Sequence, residues 1–432
     1  MAKQKRPISF GTYLMLIIVA ITVGMSAWVL PRIAGDLEDI TIDTAALIHA
    51  LAATAAPSGA APIAEYHPAT DIDVPAEPTP APPPAASSVT ISVGGQIWLD
   101  STLRKSGLQE AGAYHYDDIF ETITPYMNGA DVTMVTLEST ISMNESYDTY
   151  RAPEAILGAL KNAGVDIINL ATERILEEGL DGLAHTRTIA EKYGFDVTGA
   201  NRSADEQALP LTFELNGIKI AVLSYTYGLS TAGAKVGTKE DRQAAVNLID
   251  AQSIRDDVRL AREQGANLVL INTHWGKRSN TKPPTDITRL VDEIADCGAD
   301  AILGTHPTTV HKMERRSVLC ADGVQRDVFI AYSLGDFLVN ERGSSDEIIG
   351  MLLTLQFTLD PDSASARLTD AKYLPTWQMR WQPADKYYYR ILPAGTTQQP
   401  SEMTNTVYRS MRRAYEDLIK KIGSDAAMPI SE

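Results

Sequence analysis

Two stretches of the same form decide the fold. Residues 267–276 read NLVLINTHWG, and residues 300–307 read DAILGTHP. In each, an apolar run of strand length ends at a histidine, and residues 286–297 between them have a helical pattern. This order predicts two parallel strands joined by a helix. Because the carboxyl ends of parallel strands meet at one edge of a sheet, we expect His274 and His306 to lie close together.

The same alternation of strands and helices extends through most of the chain. It predicts an α/β domain with helices over a largely parallel sheet. Antiparallel edge strands are predicted after Gly350, and a C-terminal amphipathic helix at residues 403–421. The other predicted strands are residues 89–93, 132–137, 165–170, 218–225 and 328–334, and the other predicted helices are residues 153–164 and 253–265.

Polar residues that could carry chemistry stand where these predicted strands end. Glu138, Thr172-Glu173-Arg174 and Asp336 each follow a strand, as the two histidines do. Open α/β sheets bind ligands at this edge, so a crevice is predicted there. Its candidate catalytic residues are His274, His306 and Glu138. Either histidine alone is more often structural, but their equivalent positions keep a functional interpretation open beside the structural one.

The N-terminus has the pattern of a membrane anchor. Basic residues precede an uncharged stretch at residues 8–30, which at about 1.5 Å per residue covers a hydrocarbon core of roughly 30 Å. Positive charge stays cytoplasmic, so residues 1–7 are predicted to be a cytoplasmic tail and the rest of the chain to be exported. This predicts a single-pass protein of the cell membrane with its C-terminal domain extracytoplasmic. A cleaved signal peptide is the alternative.

The amino-acid composition divides the rest of the chain into a linker and a globular part. Residues 31–88 are rich in Ala and Pro, which predicts a disordered extracytoplasmic linker. A globular domain is predicted at residues 89–400, with a C-terminal helix and tail at residues 401–432. The 432-residue chain has a net charge of −17 and a mean hydropathy of −0.12. These values argue against a nucleic-acid partner and against a polytopic membrane protein.

Four ordered motifs carry a family resemblance. They are residues 150–186 (YRAPEAILGALKNAGVDIINLATERILEEGLDGLAHT), 271–276 (INTHWG), 296–316 (DCGADAILGTHPTTVHKMERR) and 330–342 (IAYSLGDFLVNER). Together they resemble the CapA family, the poly-γ-glutamate capsule-synthesis proteins of the metallophosphatase-like superfamily. The resemblance implies a metallophosphatase-like layered α/β/β/α sandwich, in which two sheets are flanked by helices. It also fits a single N-terminal anchor with an exported domain.

The metal-binding motifs of the family are altered in this chain. The Gly-Asp motif becomes Gly95-Gln96, with Asp100 nearby, and the Asn-Leu-Glu motif becomes Thr136-Leu137-Glu138. The Asn-Asn-His motif becomes Thr172-Glu173-Arg174, and the His-Pro-His motif is reduced to His306-Pro307-Thr308. A dinuclear site needs anionic and imidazole ligands, so these changes predict a degenerate site, no cofactor and a pseudoenzyme.

A single metal ion remains an alternative. Asp100, Glu173, His274 and His306 are of metal-ligand type, and two histidines with a carboxylate can hold one divalent ion such as Mn, Zn or Fe. In the competing interpretation, Arg174 pairs with Glu138, Glu173 or Asp100 and fills an inactive site.

Basic residues beside the crevice suggest a third use for it. Lys277, Arg278, Arg174 and Arg315 could clamp carboxylate or phosphate groups, although an ordinary solvated charge run explains them slightly better. The preferred hypothesis is therefore a binding or scaffolding protein of capsule or poly-γ-glutamate synthesis and export. Its partners would be the membrane and an anionic envelope polymer or polymer-synthase subunits. The alternative is a metal-dependent phosphoesterase or amide hydrolase acting on such a polymer.

The two cysteines allow two redox states. Cys297 ends a predicted helix and Cys320 lies in a turn-like CADG sequence. A disulfide between them is possible outside the cytoplasm, and a buried free Cys297 is equally compatible with the sequence.

Overall fold

The computed structural model describes residues 87–430, apart from residues 111, 145–146, 148–149, 208, 361–364 and 424. The predicted anchor at residues 8–30 and nearly all of the predicted linker lie outside the described residues. Within the part of the chain that is described, no helix is both long enough and apolar enough to cross a membrane.

Seventeen strands and eleven α-helices are found among the described residues. The strands are β1 (Ser88–Ile97), β2 (Val132–Leu137), β3 (Thr140–Ile141), β4 (Arg151–Ala152), β5 (Ile167–Asn169), β6 (Asp196–Thr198), β7 (Leu211–Leu215), β8 (Ile218–Thr226), β9 (Leu268–His274), β10 (Ala301–Thr305), β11 (Met313–Leu319), β12 (Gln325–Ala331), β13 (Asp336–Leu338), β14 (Ile349–Leu359), β15 (Ala366–Trp381), β16 (Tyr388–Pro393) and β17 (Met428–Pro429). The helices are α1 (Ser101–Ser106), α2 (Asp117–Phe120), α3 (Thr124–Met127), α4 (Ala155–Asn162), α5 (Gly179–Lys192), α6 (Ala204–Gln207), α7 (Lys239–Ala245), α8 (Ala251–Glu263), α9 (Thr285–Asp296), α10 (Ser345–Ile348) and α11 (Asn405–Ile422).

Two large mixed sheets form the centre of the domain. The first has the order β16-β15-β14-β1-β2-β5-β6, with β13 paired to β1 and β17 paired to β15. Its strands β1, β2, β5 and β6 are parallel, whereas β14, β15 and β16 are antiparallel. The second has the order β11-β12-β10-β9-β8-β7, in which the four central strands are parallel and both edge strands are antiparallel.

Side-chain alternation along the strands builds four layers. In β9, Leu268 and Leu270 point into a core shared by the two sheets, whereas Val269 and Ile271 point into a second core beneath helices α8 and α9. On the outer face of the first sheet, α4 buries Ile156 with side chains of β2 and β5 in a third core. The layers are therefore helices, sheet, sheet and helices.

The predicted elements are largely confirmed. The two histidine-ending strands are β9 and β10, joined by α9, and they pair in parallel with Thr305 opposite His274. Asp250 caps α8 by accepting a hydrogen bond from the Ser253 backbone N–H. The predicted C-terminal helix is α11, which packs on the core between the sheets. The prediction of edge strands after Gly350 is only partly right, because β14 lies inside the sheet and pairs with β1.

Gly304 in β10 keeps the indole of Trp275 in place, and this makes a testable prediction. A Cβ at Gly304 would lie 2.6 Å from Trp275 Nε1 and still closer to the Tyr332 carbonyl oxygen, which accepts the indole hydrogen bond at 2.9 Å. Neither neighbour is a flexible side-chain end. We therefore expect Gly304→Ala to lower the free energy of unfolding by about 1–3 kcal/mol in urea titrations of the full chain.

Gly228 supplies the control for this prediction, because a Cβ there would meet nothing within 4 Å. Gly228→Ala should leave the unfolding midpoint nearly unchanged. Equal effects of the two substitutions would show that packing around Trp275 does not require the glycine.

Candidate functional site

Three buried side chains meet where β2, β9 and β10 end. Glu138 follows β2, His274 ends β9 and His306 follows β10. Each offers one ligand atom, and these atoms all lie within 4.8 Å of one another. The two imidazole rings are 4.4 Å apart between centroids. The predicted proximity of the two histidines is confirmed, and we call these three residues the Glu-His-His cluster.

Ligand atoms of the cluster lack hydrogen bonds. Both ring nitrogens of His274, Nδ1 of His306 and Oε1 of Glu138 are buried without a hydrogen-bond partner in the described chain. Burial lowers the pKa of His274 well below its usual value and lowers the pKa of His306 to about 4. Both imidazoles are therefore neutral near pH 7, which is the form that binds metal ions.

The backbone at His306 is strained. Its φ of 91° is in the region that favours glycine, and Asn216 is the other non-glycine residue with positive φ in the described ranges. A side chain held in this conformation costs about 1–3 kcal/mol, and such residues concentrate at functional sites. In this conformation the His306 ring lies tilted against the ring of His274 at the end of β10.

Two arginines flank Glu138. Arg174 Nε lies 3.4 Å from Glu138 Oε1, and Arg278 Nη1 lies 3.5 Å from Glu138 Oε2. Burial raises the pKa of Glu138 to about 7, although Arg278 and Arg174 act in the opposite direction. Desolvation is therefore the stronger effect on this carboxyl.

The same arginines are engaged by other carboxylates. Arg174 pairs with Glu173 and Glu177, each at 3.2 Å. Arg278 pairs with Glu341 at 2.7 Å and lies 3.8 Å from Asp336. Five carboxyl groups thus surround two guanidinium groups, and this balance does not favour a polyanion at Arg174 and Arg278. The carboxyl groups belong to Glu138, Glu173, Glu177, Asp336 and Glu341.

An aromatic pair holds the arginines in position. Trp98 and Tyr150 stack with centroids 5.8 Å apart. The guanidinium of Arg278 lies 5.0 Å from the Trp98 ring centroid, and that of Arg174 lies 4.2 Å from the Tyr150 centroid. Cation–π contacts of this kind favour the observed side-chain conformations. No sequence pattern pointed to this pair, because the two rings come from segments far apart in the chain.

Tyr227 covers the histidines. Its ring centroid lies 5.2 Å from that of His306 and 6.2 Å from that of His274, and its hydroxyl donates a hydrogen bond to Glu173. The side chain is 46% exposed, so it forms the boundary between the cluster and solvent. Tyr227 was not among the predicted site residues, although it follows β8 directly.

Asp100 is placed differently from the sequence-based prediction. It caps α1 by accepting hydrogen bonds from the Thr102 and Leu103 backbone N–H groups at 3.0 and 2.8 Å, and Asn340 donates to its other oxygen at 2.9 Å. These contacts engage both oxygens, and Asp100 is not among the residues whose ligand atoms lie within 4.8 Å of one another. Glu173 is also outside the cluster, since Arg174 and Tyr227 contact its carboxylate.

Two of the predicted anion-binding residues form no ion pair with the cluster among the described residues. Arg315 lies on β11, where its Nε donates to the Ala426 carbonyl oxygen at 2.9 Å. Lys277 has an exposed side chain in the loop after β9. Of the four predicted basic residues, Arg174 and Arg278 are the two that pair with Glu138 in the described part of the chain.

Gln96 and Asp336 occupy the neighbouring position. Gln96 Nε2 donates to Asp336 Oδ1 at 3.4 Å, while Gln96 Oε1 and Asp336 Oδ2 have no hydrogen-bond partner in the described chain. Burial raises the pKa of Asp336 well above its usual value. The guanidinium of Arg278 lies 3.8 Å from Asp336 Oδ2 and 3.5 Å from Glu138 Oε2, so a positive charge already stands between these two carboxyl groups.

The donor set therefore fits one metal ion. Two neutral imidazoles and one carboxylate are typical ligands of Zn²⁺, Fe²⁺ or Mn²⁺, and the ligand atoms of the cluster lie close enough to share an ion. Gln96 and Arg278 make a second ion unfavourable.

Both cysteines are free thiols. Cys297 is partly buried and contacts the Glu293 carbonyl oxygen at 3.1 Å, whereas Cys320 is buried. Burial raises the pKa of Cys297 to about 11. The structure thus shows the thiol alternative rather than the disulfide.

Comparison with known proteins identifies the family. The model of the family described as bacterial capsule synthesis protein PGA_cap matches residues 90–341. The chain belongs to this family. The PGA_cap match contains the whole Glu-His-His cluster and confirms the resemblance to CapA proteins.

Two curated relatives carry the CapA name. The chain is 26% identical over 264 residues to the capsule biosynthesis protein CapA of Bacillus anthracis, covering 59% of this chain and 60% of the relative. It is 22% identical over 232 residues to the PGA biosynthesis protein CapA of Bacillus subtilis (strain 168), covering 52% of this chain and 57% of the relative. The chain thus spans about 60% of the length of these relatives.

Solved structures give weaker likenesses. The sulfate thiohydrolase SoxB of Thermus thermophilus in complex with glycerol has a TM-score of 0.36 and 12% identity, covering 79% of this chain and 61% of that chain. The protein TT1561 of Thermus thermophilus has a TM-score of 0.32 and 11% identity, covering 65% of this chain and 97% of that chain. At these TM-scores neither likeness carries an argument about this PGA_cap member.

Proposed function

We propose that this PGA_cap-family chain acts in capsule or poly-γ-glutamate biosynthesis at the cell envelope, and that its crevice is a one-metal hydrolase or transferase site. The substrate class is an amide or phosphate ester bond of the envelope polymer. Residues 8–30 would anchor the chain in the cell membrane with the domain on the extracytoplasmic side. The family match and the names of the two curated relatives support the biological role.

One observation carries the chemical part of the proposal. Buried imidazole nitrogens and a buried carboxylate oxygen lie within 4.8 Å of one another and lack hydrogen-bond partners in the described chain. Burial of the imidazole nitrogens without partners is unfavourable. A divalent ion would satisfy both imidazoles and would share the Glu138 carboxylate with Arg174 and Arg278.

The residues of the chain have separate tasks in this proposal. Glu138, His274 and His306 would hold the ion, which when bound would supply Lewis-acid activation of the bond to be cleaved. Arg174 and Arg278 fix the Glu138 carboxylate from two sides and stabilise its ionised form. Tyr227 limits access of water to the histidines, and its hydroxyl is oriented by Glu173.

A metal-free binding role is the second candidate. It is favoured by Gln96, which stands where the family resemblance places an aspartate, and by Arg174, which stands where it places a histidine. In that case the domain would bind the polymer or a synthase subunit and catalyse no reaction. The charge balance around the two arginines is the observation against it.

Turnover of the polymer separates the two candidates. The full-length protein loaded with Zn²⁺ or Mn²⁺ should release new amino groups or phosphate from envelope polymers such as poly-γ-glutamate, measured by amine and phosphate assays. His274→Ala should lower the rate more than about 100-fold, because it removes a ligand. His185→Ala, a half-buried histidine on α5, is the matched control and should keep the wild-type rate.

The second candidate predicts a different result. The wild-type protein would show no turnover with any of these ions. It would instead bind the polymer in a salt-sensitive manner, and the Lys277→Ala, Arg278→Ala double variant would weaken that binding. This pair of results would reject the hydrolase proposal.

A further inference from the structure

A cavity of about 280 Å³ opens beside the Glu-His-His cluster. It lies at the carboxyl ends of β8 and β9 and is covered on one side by α9. Trp275, which follows His274 directly, and Tyr227, which contacts both histidine rings, form part of its wall. The other lining residues are Ile249, Asp286, Ile287, Arg289, Leu290 and Glu293.

The lining divides into an apolar part and a charged part. Ile249, Ile287 and Leu290 supply aliphatic surface next to the two aromatic walls. The charged part consists of exposed side chains on α9 at positions 286, 289 and 293, a spacing of three and then four residues that places them on one helix face. The cavity therefore offers methylene contacts beside two carboxylates and one guanidinium.

The charges on α9 differ in their pairing from a triad of the same spacing on the neighbouring helix α8. On α8, Arg259 pairs with Asp256, three residues before it, at 3.4 Å and with Glu263, four residues after it, at 2.9 Å. On α9, Arg289 has Asp286 and Glu293 at the same two spacings. Within the described chain, however, no ion pair or hydrogen bond engages any of these three side chains, which line the cavity instead.

One guanidinium between two carboxylates complements a zwitterion. An amino-acid unit with a free α-amino group carries one carboxylate and one ammonium separated by a single carbon, and its side-chain methylenes are apolar. Arginine binds a carboxylate through two parallel hydrogen bonds, and carboxylates bind ammonium groups through charge-assisted hydrogen bonds. An internal unit of a polyanion carries no ammonium, and two of the three charges would repel it.

We propose that this cavity is the subsite for a zwitterionic amino-acid unit, the free amino end of a glutamate polymer or a single amino acid. Arg289 binds its carboxylate, Asp286 and Glu293 bind its ammonium, and the aliphatic residues contact its methylenes. The inference deepens the proposed function and rests on it in taking the adjacent cluster as the reactive centre. It excludes an internal unit of the polymer, which has no ammonium group.

Calorimetric titration of EDTA-treated full-length protein tests the subsite separately from the metal centre, and EDTA removes metal ions that would bind the amino acid. The probes are DL-glutamate, N-acetyl-DL-glutamate, which lacks the ammonium, and 4-aminobutyrate, which lacks the α-carboxylate. Glutamate should bind at least about 10-fold more tightly than either analogue. Arg289→Gln and Glu293→Gln should each weaken glutamate binding by about 10-fold or more.

Arg259→Gln is the matched control, because it changes the same residue type in the same helical pattern away from the cavity. It should leave glutamate binding unchanged. Equal binding of glutamate and N-acetylglutamate, equal effects of the Arg259 and Arg289 substitutions, or the absence of saturable glutamate binding would each overturn the proposal.

The metal proposal can fail independently. His274→Ala leaves the charged triad intact, so it should still bind glutamate in EDTA. Arg289→Gln leaves the ligands intact, so it should keep the wild-type metal content. Loss of glutamate binding in His274→Ala would contradict a separate subsite, whereas a wild-type protein that binds glutamate but no metal would contradict only the metal centre.

Discussion

Full-length protein incubated with Zn²⁺, Mn²⁺ or Fe²⁺ and then dialysed should retain about one divalent ion per chain, and His274→Ala should retain almost none. His274 has two buried nitrogens without partners in the described chain, so it is free to coordinate. Removing one of three ligands should weaken binding more than about 100-fold, since changes to outer-shell partners alone cost roughly 10- to 100-fold. Elemental analysis of the dialysed proteins measures the number of metal ions bound per chain.

Two further variants sharpen this prediction. His185→Ala should keep the ion, because His185 lies on α5 outside the cluster. Asp100→Ala should also keep it, while lowering the free energy of unfolding by about 1 kcal/mol through loss of the α1 cap. Loss of the ion in Asp100→Ala would restore the ligand role predicted from sequence. Two bound ions, or none, in the wild-type protein would contradict the one-metal centre.

Sequence patterns predicted the centre of the fold because buried strands have a clear signal. NLVLINTH and DAILGTH are apolar on both faces, since one face of the sheet packs on the other sheet and the opposite face on helices. A run of this kind followed by a histidine predicts both the strand and the position of the side chain. His274 and His306 could therefore be placed together from sequence alone.

Edge strands lacked that signal. In β11 alternate side chains face solvent, so its sequence MERRSVL contains no continuous apolar run. Such a sequence is typical of a basic loop as well as of an edge strand. The strand runs antiparallel to β12 and away from the crevice, which places Arg315 opposite Phe329 rather than beside the histidines. The prediction of Arg315 as an anion-binding residue depended on treating β11 as a loop.

Details of the site depended on contacts between distant segments. Of the three predicted alternatives for Arg174, the structure shows the pairs with Glu138 and Glu173 but not one with Asp100. Capping of α1 removes Asp100, and neither this cap nor the Trp98–Tyr150 stack has a local pattern that would predict it. Side-chain competition of this kind is decided only when the chain is folded.

Glu138 should make the stability of the metal-free protein depend on pH. Burial raises its pKa in the folded state to about 7, whereas an unfolded Glu titrates near about 4.3. Between these values the folded state binds a proton that the unfolded state does not. The Glu138 contribution to the free energy of unfolding is therefore fully present below about pH 4 and falls as the pH rises to 7, by about 1.4 kcal/mol per unit.

Buried histidines oppose this trend in the total stability. The folded-state pKa values of His274, His306 and His311 are lowered, so these groups bind fewer protons when folded and favour folding as the pH rises. Comparison of the wild-type protein with Glu138→Gln cancels their contribution, because both proteins contain the same histidines. The difference between the two proteins isolates the Glu138 carboxyl.

Urea unfolding of both proteins in EDTA from pH 5 to pH 8 measures this difference. At pH 5 the folded Glu138 carboxyl is protonated and resembles the Gln amide, so the two stabilities should differ by no more than about 1 kcal/mol, which arises from ionisation of the unfolded carboxyl. At pH 8 the Gln variant should have gained on the order of 3 kcal/mol relative to the wild-type protein. If Arg174 and Arg278 instead outweigh the cost of burying the charge, the wild-type protein will gain relative to the variant as the pH rises. That result would remove the need for a metal ion at Glu138, because the two guanidinium groups would already satisfy its carboxylate.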